Sequence, residues 1–262
     1  MKNSWKIYFK YVKMHFLVGL QYKGWWMAII QQFVMCIIEL IPTWLMFYRM
    51  GSIGEWSMER ILLIYSLATT SFGIAESFCD GFAAFPWNML RTGNFDRLLL
   101  RPKSLTLQVA GSVFTLYRLT RAVAGIVIAI WAMGCLGVSV TLFNVLVIVL
   151  AIMGGVLMYS GVFIMSSGIG FFTIKALDWI FIFTYASYQV TRIPINYMPQ
   201  LLKGVFTFIV PLLVISYYPS AAVCGWGNPW LGLIAFPAGA AFLAFSLLIW
   251  QFGIRHYKST GS

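Results

Sequence analysis

Residues 142–172 run for 31 positions without a charged side chain. About 20 apolar residues cross the ~30 Å hydrocarbon core of a bilayer, so this stretch is longer than one crossing requires and has no place in a soluble domain. Hydrocarbon offers no partner for backbone N–H and C=O groups, and a segment of this length satisfies them only as a helix. Its small residues, Gly154, Gly155, Gly161, Gly168 and Gly170 with Ser160, Ser166 and Ser167, suit a helix packed closely against others, or one tilted and bent.

Similar runs cover about 25–48, 57–80, 107–134 and 231–252. Charged residues are only 10% of the chain, against ~25% in a soluble domain. The whole of 1–262 is therefore expected to be one all-α transmembrane unit. The net charge of +11 is scattered between the spans rather than gathered on one face, which points to membrane lipid and excludes a nucleic-acid footprint.

The expected first span carries Glu39 near its middle, where a charge costs about 2.5–3.5 kcal/mol even on the lenient insertion scale. Glu39 must face protein or a cavity, as a carboxylate or protonated. It either hydrogen-bonds a neighbouring helix or belongs to a translocation path. Pro42 is expected to kink this helix. Glu76 and Asp80 end the second span four residues apart, and Arg118 and Arg121 lie in the first half of the third. These four predict an ion-pair cluster at the inner membrane edge.

Residues 176–191 are barely long enough to cross. After them, 198–218 is interrupted by Pro199 and Pro211, with Pro219 just beyond. Counting positive charges arbitrates between six spans and seven. Six spans place twelve Lys/Arg inside and four outside (Arg49, Arg60, Arg192 and Lys203); seven would move Arg255 and Lys258 outside, against the trend. The six-span reading makes 192–222 a re-entrant helical segment on the outer side before the last span, and leaves both termini cytoplasmic. Residues 4–22 read as an interfacial helix, with Lys6, Lys10 and Lys13 on one stripe and Trp5, Tyr8, Phe9, Val12 and Phe16 away from it. The alternative is a frayed basic tail.

Between spans two and three, 83–106 forms a cytoplasmic loop whose segment 91–103 holds Arg91, Arg97, Arg101 and Lys103 against one acid, Asp96. Its centre predicts one or two helical turns. Asn94 or Asp96 caps them, Phe95, Leu98 and Leu99 form an apolar edge, and Pro102 ends them. Such a helix either docks into a groove on a second protein or serves only as a positive-inside signal. There is no phosphate-binding loop, zinc-hydrolase or serine-hydrolase motif and no Asp-rich pair. His15 and His256 lie outside the spans, and the four cysteines are isolated. No enzyme activity and no bound cofactor or metal are expected.

Three stretches together resemble the permease subunits of ABC-2 type exporters, in a branch built from two permeases. They are Arg91-Thr92-Gly93-Asn94-Phe95-Asp96-Arg97-Leu98-Leu99-Leu100-Arg101-Pro102, then Thr207-Phe208-Ile209-Val210-Pro211 with Tyr217-Tyr218-Pro219, and the terminal Tyr257-Lys258-Ser259-Thr260-Gly261-Ser262. The resemblance implies a bacterial plasma-membrane exporter without its own nucleotide site. It implies pairing with a second permease, identical or homologous, and with two copies of a P-loop ATPase that holds ATP and Mg. The loop after span two would be the coupling helix, with Phe95, Leu98 and Leu99 as docking face and Arg97 and Arg101 pairing with acids. Thr207, Pro211, Tyr217, Tyr218 and Pro219 would shape an outer gate. Glu39 would lie near a path between the permeases. The alternative is a membrane protein without an ATPase, such as a proton-coupled carrier using Glu39 or a membrane-embedded enzyme.

Overall fold

The computed structural model describes residues 2–21, 24–173 and 182–257, with the backbone alone for 2–5. Its named elements are all helical. In chain order they are α1 (Lys2–Gln21), α2 (Trp25–Met50), α3 (Met58–Phe85), α4 (Asn94–Leu99), α5 (Leu105–Gly111), α6 (Leu119–Cys135), α7 (Leu142–Gly170), α8 (Tyr185–Val190), α9 (Gln200–Gly204), α10 (Leu212–Val223) and α11 (Ala235–His256). Ser57 caps α3 by accepting the Arg60 N–H, and Thr141 caps α7 by accepting the Asn144 N–H at 3.2 Å. Each cap relieves one of the unpaired donors at a helix start.

Helix α3 is the axis of the molecule. Ile61, Leu63, Tyr65, Ala68, Phe72 and Ala75 are all sealed from solvent, so it is buried on every side. Helices α6 and α7 pack along it, and α11 packs along α7. Helix α2 is the opposite case. Only Cys36, Thr43 and Phe47 are buried along its 26 residues, while Trp26, Ile30, Phe33, Ile37, Ile41, Trp44 and Tyr48 stand exposed. It passes Pro42 as one helix.

The close packing depends on missing side chains. A Cβ on Gly239 of α11 would lie 2.0 Å from the Gly154 carbonyl oxygen of α7, and one on Gly154 would lie 2.2 Å from the Ala235 carbonyl oxygen. Backbones this close gain dispersion contacts that a larger residue would forfeit, which is how helices associate where lipid is as apolar as leucine.

Among the described residues, five helical stretches are long and apolar enough to cross a membrane: Trp25–Met50, Met58–Leu90, Leu116–Cys135, Leu142–Gly170 and Pro229–His256. A pair, Gln200–Ile209 and Leu212–Val223, is bent by 95°, and counting it as one span gives six. The bend falls at Pro211, which lacks an N–H to continue the helix, inside the segment expected to be re-entrant. Residues 176–181 of the short span expected at 176–191 lie outside the described residues; in the described part, 182–191, the named helix is the six-residue α8. The third expected span is corrected. It is not continuous over 107–134 but breaks between α5 and a 3-10 turn at Leu116–Arg118. Gly81 lets α5 press on α3, where a Cβ would come 2.0 Å from the Val109 carbonyl oxygen, and Thr115 N–H then donates to the Ser77 carbonyl at 3.4 Å. The chain reaches α3 only by abandoning the helix there.

Helix α1 packs through one face. Tyr8 and Tyr11 lie against Gly111 of α5, while Lys6, Lys10 and Lys13 are exposed on the opposite side. The side chain of Trp5 is outside the described set.

Replacing Gly239 with Ala should lower the thermal midpoint of the detergent-solubilised protein, at an overpacking cost of about 1–3 kcal/mol. Gly134, whose Cβ would meet nothing within 4 Å, should tolerate Ala without loss. Fluorescence-detected size exclusion after heating measures both.

Candidate functional site

Six ionic side chains from four parts of the chain meet around α3. Glu76 and Asp80 are one helical turn apart on α3, and the break after α5 turns Arg118 and Arg121 toward them. Arg118 Nη1 donates to Glu76 Oε1 at 2.6 Å and to Asp80 Oδ1 at 3.0 Å. Arg121 Nη1 reaches Glu76 Oε2 at 3.4 Å, and its Nη2 lies 4.0 Å from Glu39 Oε1 of α2. Arg192, two residues beyond α8, completes the set: its Nη2 is 3.6 Å from Glu39 Oε2 and its Nη1 donates to the Glu39 backbone carbonyl.

Tyrosines supply further partners to the carboxylates. Tyr65 donates to Glu39 Oε2 at 3.1 Å, Tyr188 to Glu39 Oε1 at 3.0 Å, and Tyr185 to Glu76 Oε1. Thr115 donates to Asp80 Oδ2 at 3.4 Å. The guanidinium of Arg192 lies 4.3 Å from the Tyr65 ring centre, and that of Arg121 lies 5.2 Å from those of Phe72 and Tyr188. Ring faces are negative and attract such cations where water is scarce. Three carboxylates thus face three guanidiniums, and each carboxylate oxygen of Glu39 and Glu76 has a partner. A lone ion here would cost several kcal/mol to desolvate; a balanced and hydrogen-bonded set avoids most of that cost.

The structure brings Glu76, Asp80, Arg118 and Arg121 into one cluster and adds Glu39, which sequence reasoning kept apart. Glu76 lies nine residues and Asp80 five from the end of α3 at Phe85, about 14 and 8 Å along the helix at ~1.5 Å per residue, so the network sits in the half of α3 toward the loop. Arg192, read from sequence as an outer-loop charge, is half-buried against Glu39. Tyr65, Tyr185 and Tyr188 were missed as well. One signal was present: Tyr185, Tyr188 and Arg192 are spaced three and four apart, one face of a helix.

The basic loop is built differently from its sequence expectation. Helix α3 continues through a wide turn at Pro86–Leu90, and α4 begins after Gly93, whose φ of 69° is the left-handed conformation that glycine adopts without strain. Neither Asn94 nor Asp96 caps it: Gly93 holds the cap position, and Asn94 Nδ2 donates instead to Thr92 Oγ1 at 2.8 Å. The helix ends at Leu99, ahead of Pro102. Phe95 is corrected as a docking residue. It is fully buried among the rings of Phe85 (5.2 Å), Phe171 (5.4 Å) and Tyr257 (4.9 Å). Trp250 of α11 packs on Phe85 at 5.0 Å and donates to Thr106 Oγ1. Leu98 is half-buried against the same core. The surface left open is Arg91, Arg97, Leu99, Leu100 and Arg101, with Leu100 85% exposed. Arg101 also donates to Tyr11 of α1 at 3.0 Å.

At the other end, Tyr217 of α10 packs at 6.1 Å on Trp56, which meets Trp226 at 5.8 Å, and on Tyr218 at 5.4 Å. Pro211 and Pro219 are buried, and Thr207 is half-buried in a π-turn at Val205–Ile209.

A family model described as ABC-2 family transporter protein matches residues 33–261. No curated protein and no solved structure matches the chain.

Changing Glu76 to Gln should leave Arg118 and Arg121 undercompensated and destabilise the protein by about 3–5 kcal/mol, the cost of breaking a buried pair from one side. The double change with Arg118→Gln should recover part of it. Thermal unfolding of the purified variants reads the difference.

Proposed function

The chain belongs to the ABC-2 transporter family, and from that premise we propose that it is the permease half of an ATP-driven exporter. In this reading it pairs with a second permease and with two soluble P-loop ATPases, and the loop around α4 receives the ATPase stroke. Phe95 carries the argument. Its burial among rings from α3, α7 and the end of α11 joins the loop to three helices at once, so a push on α4 is delivered to the bundle rather than absorbed by a slack loop. The open surface beside it, three arginines flanking Leu99 and Leu100, suits a groove with an apolar floor and acidic rim. The residues of the sequence-derived docking face thus divide: Leu99 remains a contact, Leu100 joins it, and Phe95 becomes the anchor.

ATP and Mg belong to the partner ATPase, and no nucleotide site is assigned to this chain. The termini and the loop are cytoplasmic in a bacterial plasma membrane, which puts the bent pair and the Trp56–Tyr217 cluster at the outer side as a gate. Withdrawing Arg192 from the outer charges leaves the inside excess larger, in favour of this orientation.

The charge network bears on the alternative of a proton-coupled carrier. Such a carrier needs a carboxylate that exchanges protons with water. Glu39 has two guanidiniums and two phenols around it, an arrangement that suits a structural tie between helices.

Leu99→Ala with Leu100→Glu should abolish substrate-stimulated ATP hydrolysis in the assembled complex while leaving the permease folded; unchanged stimulation would remove the docking assignment. Phe95→Ala should instead lower stability by about 3–5 kcal/mol, as for a core phenylalanine. Transport by the wild-type complex should persist when an uncoupler collapses the proton gradient, and loss under that condition would support the carrier.

A further inference from the structure

Three cavities run end to end along α2. The first, of about 330 Å³, is lined by Trp44, Phe47, Tyr48, Ser57, Met58 and Glu59 at the end of the bundle remote from the basic loop. It shares Trp44 and Met58 with a second of about 270 Å³, walled by Ile37, Leu40, Ile41 and Leu62. That one shares Ile37 and Leu40 with a third of about 180 Å³, which reaches Phe33, Val123 and Val127. Together they form one furrow between α2 and the faces of α3 and α6. It follows α2 from Trp44 to Phe33, about 17 Å at ~1.5 Å per residue.

Polarity changes sharply along it. The two deeper cavities have no charged residue in their walls. The mouth has one, Glu59, half-buried in the first turn of α3 and in no ion pair among the described residues. Arg60 next to it is turned elsewhere: its guanidinium donates to the Glu55 carbonyl at 2.6 Å and lies 4.7 Å from the Trp226 ring centre. Beside Glu59 stand Trp44 and Tyr48, stacked at 5.1 Å with 22° between their planes, 49% and 75% exposed. A carboxylate next to exposed ring faces is a receptor for an organic cation, because each favours positive charge and the rings favour a weakly hydrated one.

We propose that this furrow binds a cationic amphiphile, with its ammonium-type head between Glu59 and the Trp44–Tyr48 pair and its hydrocarbon body along Ile37, Leu40, Ile41 and Leu62. The inference deepens the export reading, on which its status as a transport site rests, by naming the class of substrate. The open flank on α2 lets such a molecule enter sideways from the bilayer. The furrow selects by charge at one end and accepts any hydrocarbon at the other.

The test uses the full chain in phosphatidylcholine nanodiscs without ATPase, so its outcome is independent of the coupling experiment. The probe is an alkyl-trimethylammonium with a diazirine in its chain, and labelled peptides are read by mass spectrometry. Labelling should concentrate on 37–44 and 58–62, fall with added dodecyltrimethylammonium, and resist dodecylphosphocholine and dodecyl sulfate. Glu59→Gln should raise the competing concentration needed about tenfold, the change that ~1.4 kcal/mol produces. Trp44→Leu, which keeps the wall apolar, should erase the preference for dodecyltrimethylammonium over neutral dodecanol. Labelling spread evenly over the lipid-facing helices, or equal competition by the zwitterion, would overturn the proposal in favour of an ordinary lipid groove. Cross-linking of the furrow to a second copy of the chain with loss of labelling would overturn it in favour of a permease interface.

Discussion

An ion in hydrocarbon must be neutralised by its neighbours, and here that requirement decides which helices can be adjacent. Glu39 on α2, Glu76 and Asp80 on α3, Arg118 and Arg121 at the start of α6, and Arg192 after α8 satisfy one another only when all four regions are in place. Apolar packing in a bilayer is weakly directional, since lipid competes with every leucine. The network supplies the direction. It is also the main polar hold on α2, a helix that buries only three of its residues.

A second hold, of a different kind, works at the basic loop. Ring edges on ring faces around Phe95 join α4 to α3, α7 and the residue after α11, at centre distances near 5 Å where such pairs are favourable. The two holds lie about 14 Å apart along one helix, from Glu76 to Phe85 at ~1.5 Å per residue. Force entering at the loop therefore reaches the ion network through α3 without crossing a flexible joint. Helix α2, tied at Glu39 and little elsewhere, is the element most free to respond.

Much of this was legible in the sequence because membrane helices are specified by composition over a long window. The spans around Glu39, along α7 and along α11 lie within a few residues of their expected bounds, α3 starts where expected but runs on past Asp80 to Phe85, and the proline-interrupted segment bends at one of its prolines. What was not legible is where side chains meet across the bundle. Arg192 looks like a loop charge because its neighbours Thr191, Ile193 and Pro194 end a helix, and only the fold carries it 153 positions back to Glu39. Phe95 looks like a docking knob because i, i+3, i+4 spacing finds the apolar side of a short helix without revealing whether a partner or the chain's own core covers it. The break at Ser112–Thr115 escaped notice because nothing in its composition opposes a helix. Its cause is the close approach of α5 to α3 at Gly81, a contact between distant segments.

The Glu39–Arg192 tie also has a consequence for how the protein is made. The carboxylate is synthesised 153 residues before the guanidinium that pairs with its oxygen and its backbone carbonyl. At ~5–20 residues per second, Glu39 waits roughly 8–30 s for that partner. Through this interval the nascent α2 must be held by the insertion machinery, or lie at the interface with Glu39 in water, until α6 and then Arg192 arrive. Segments made after α2, namely α6 and the stretch from α8 to Arg192, thus seat it, and final placement of α2 comes late in biogenesis rather than at its start.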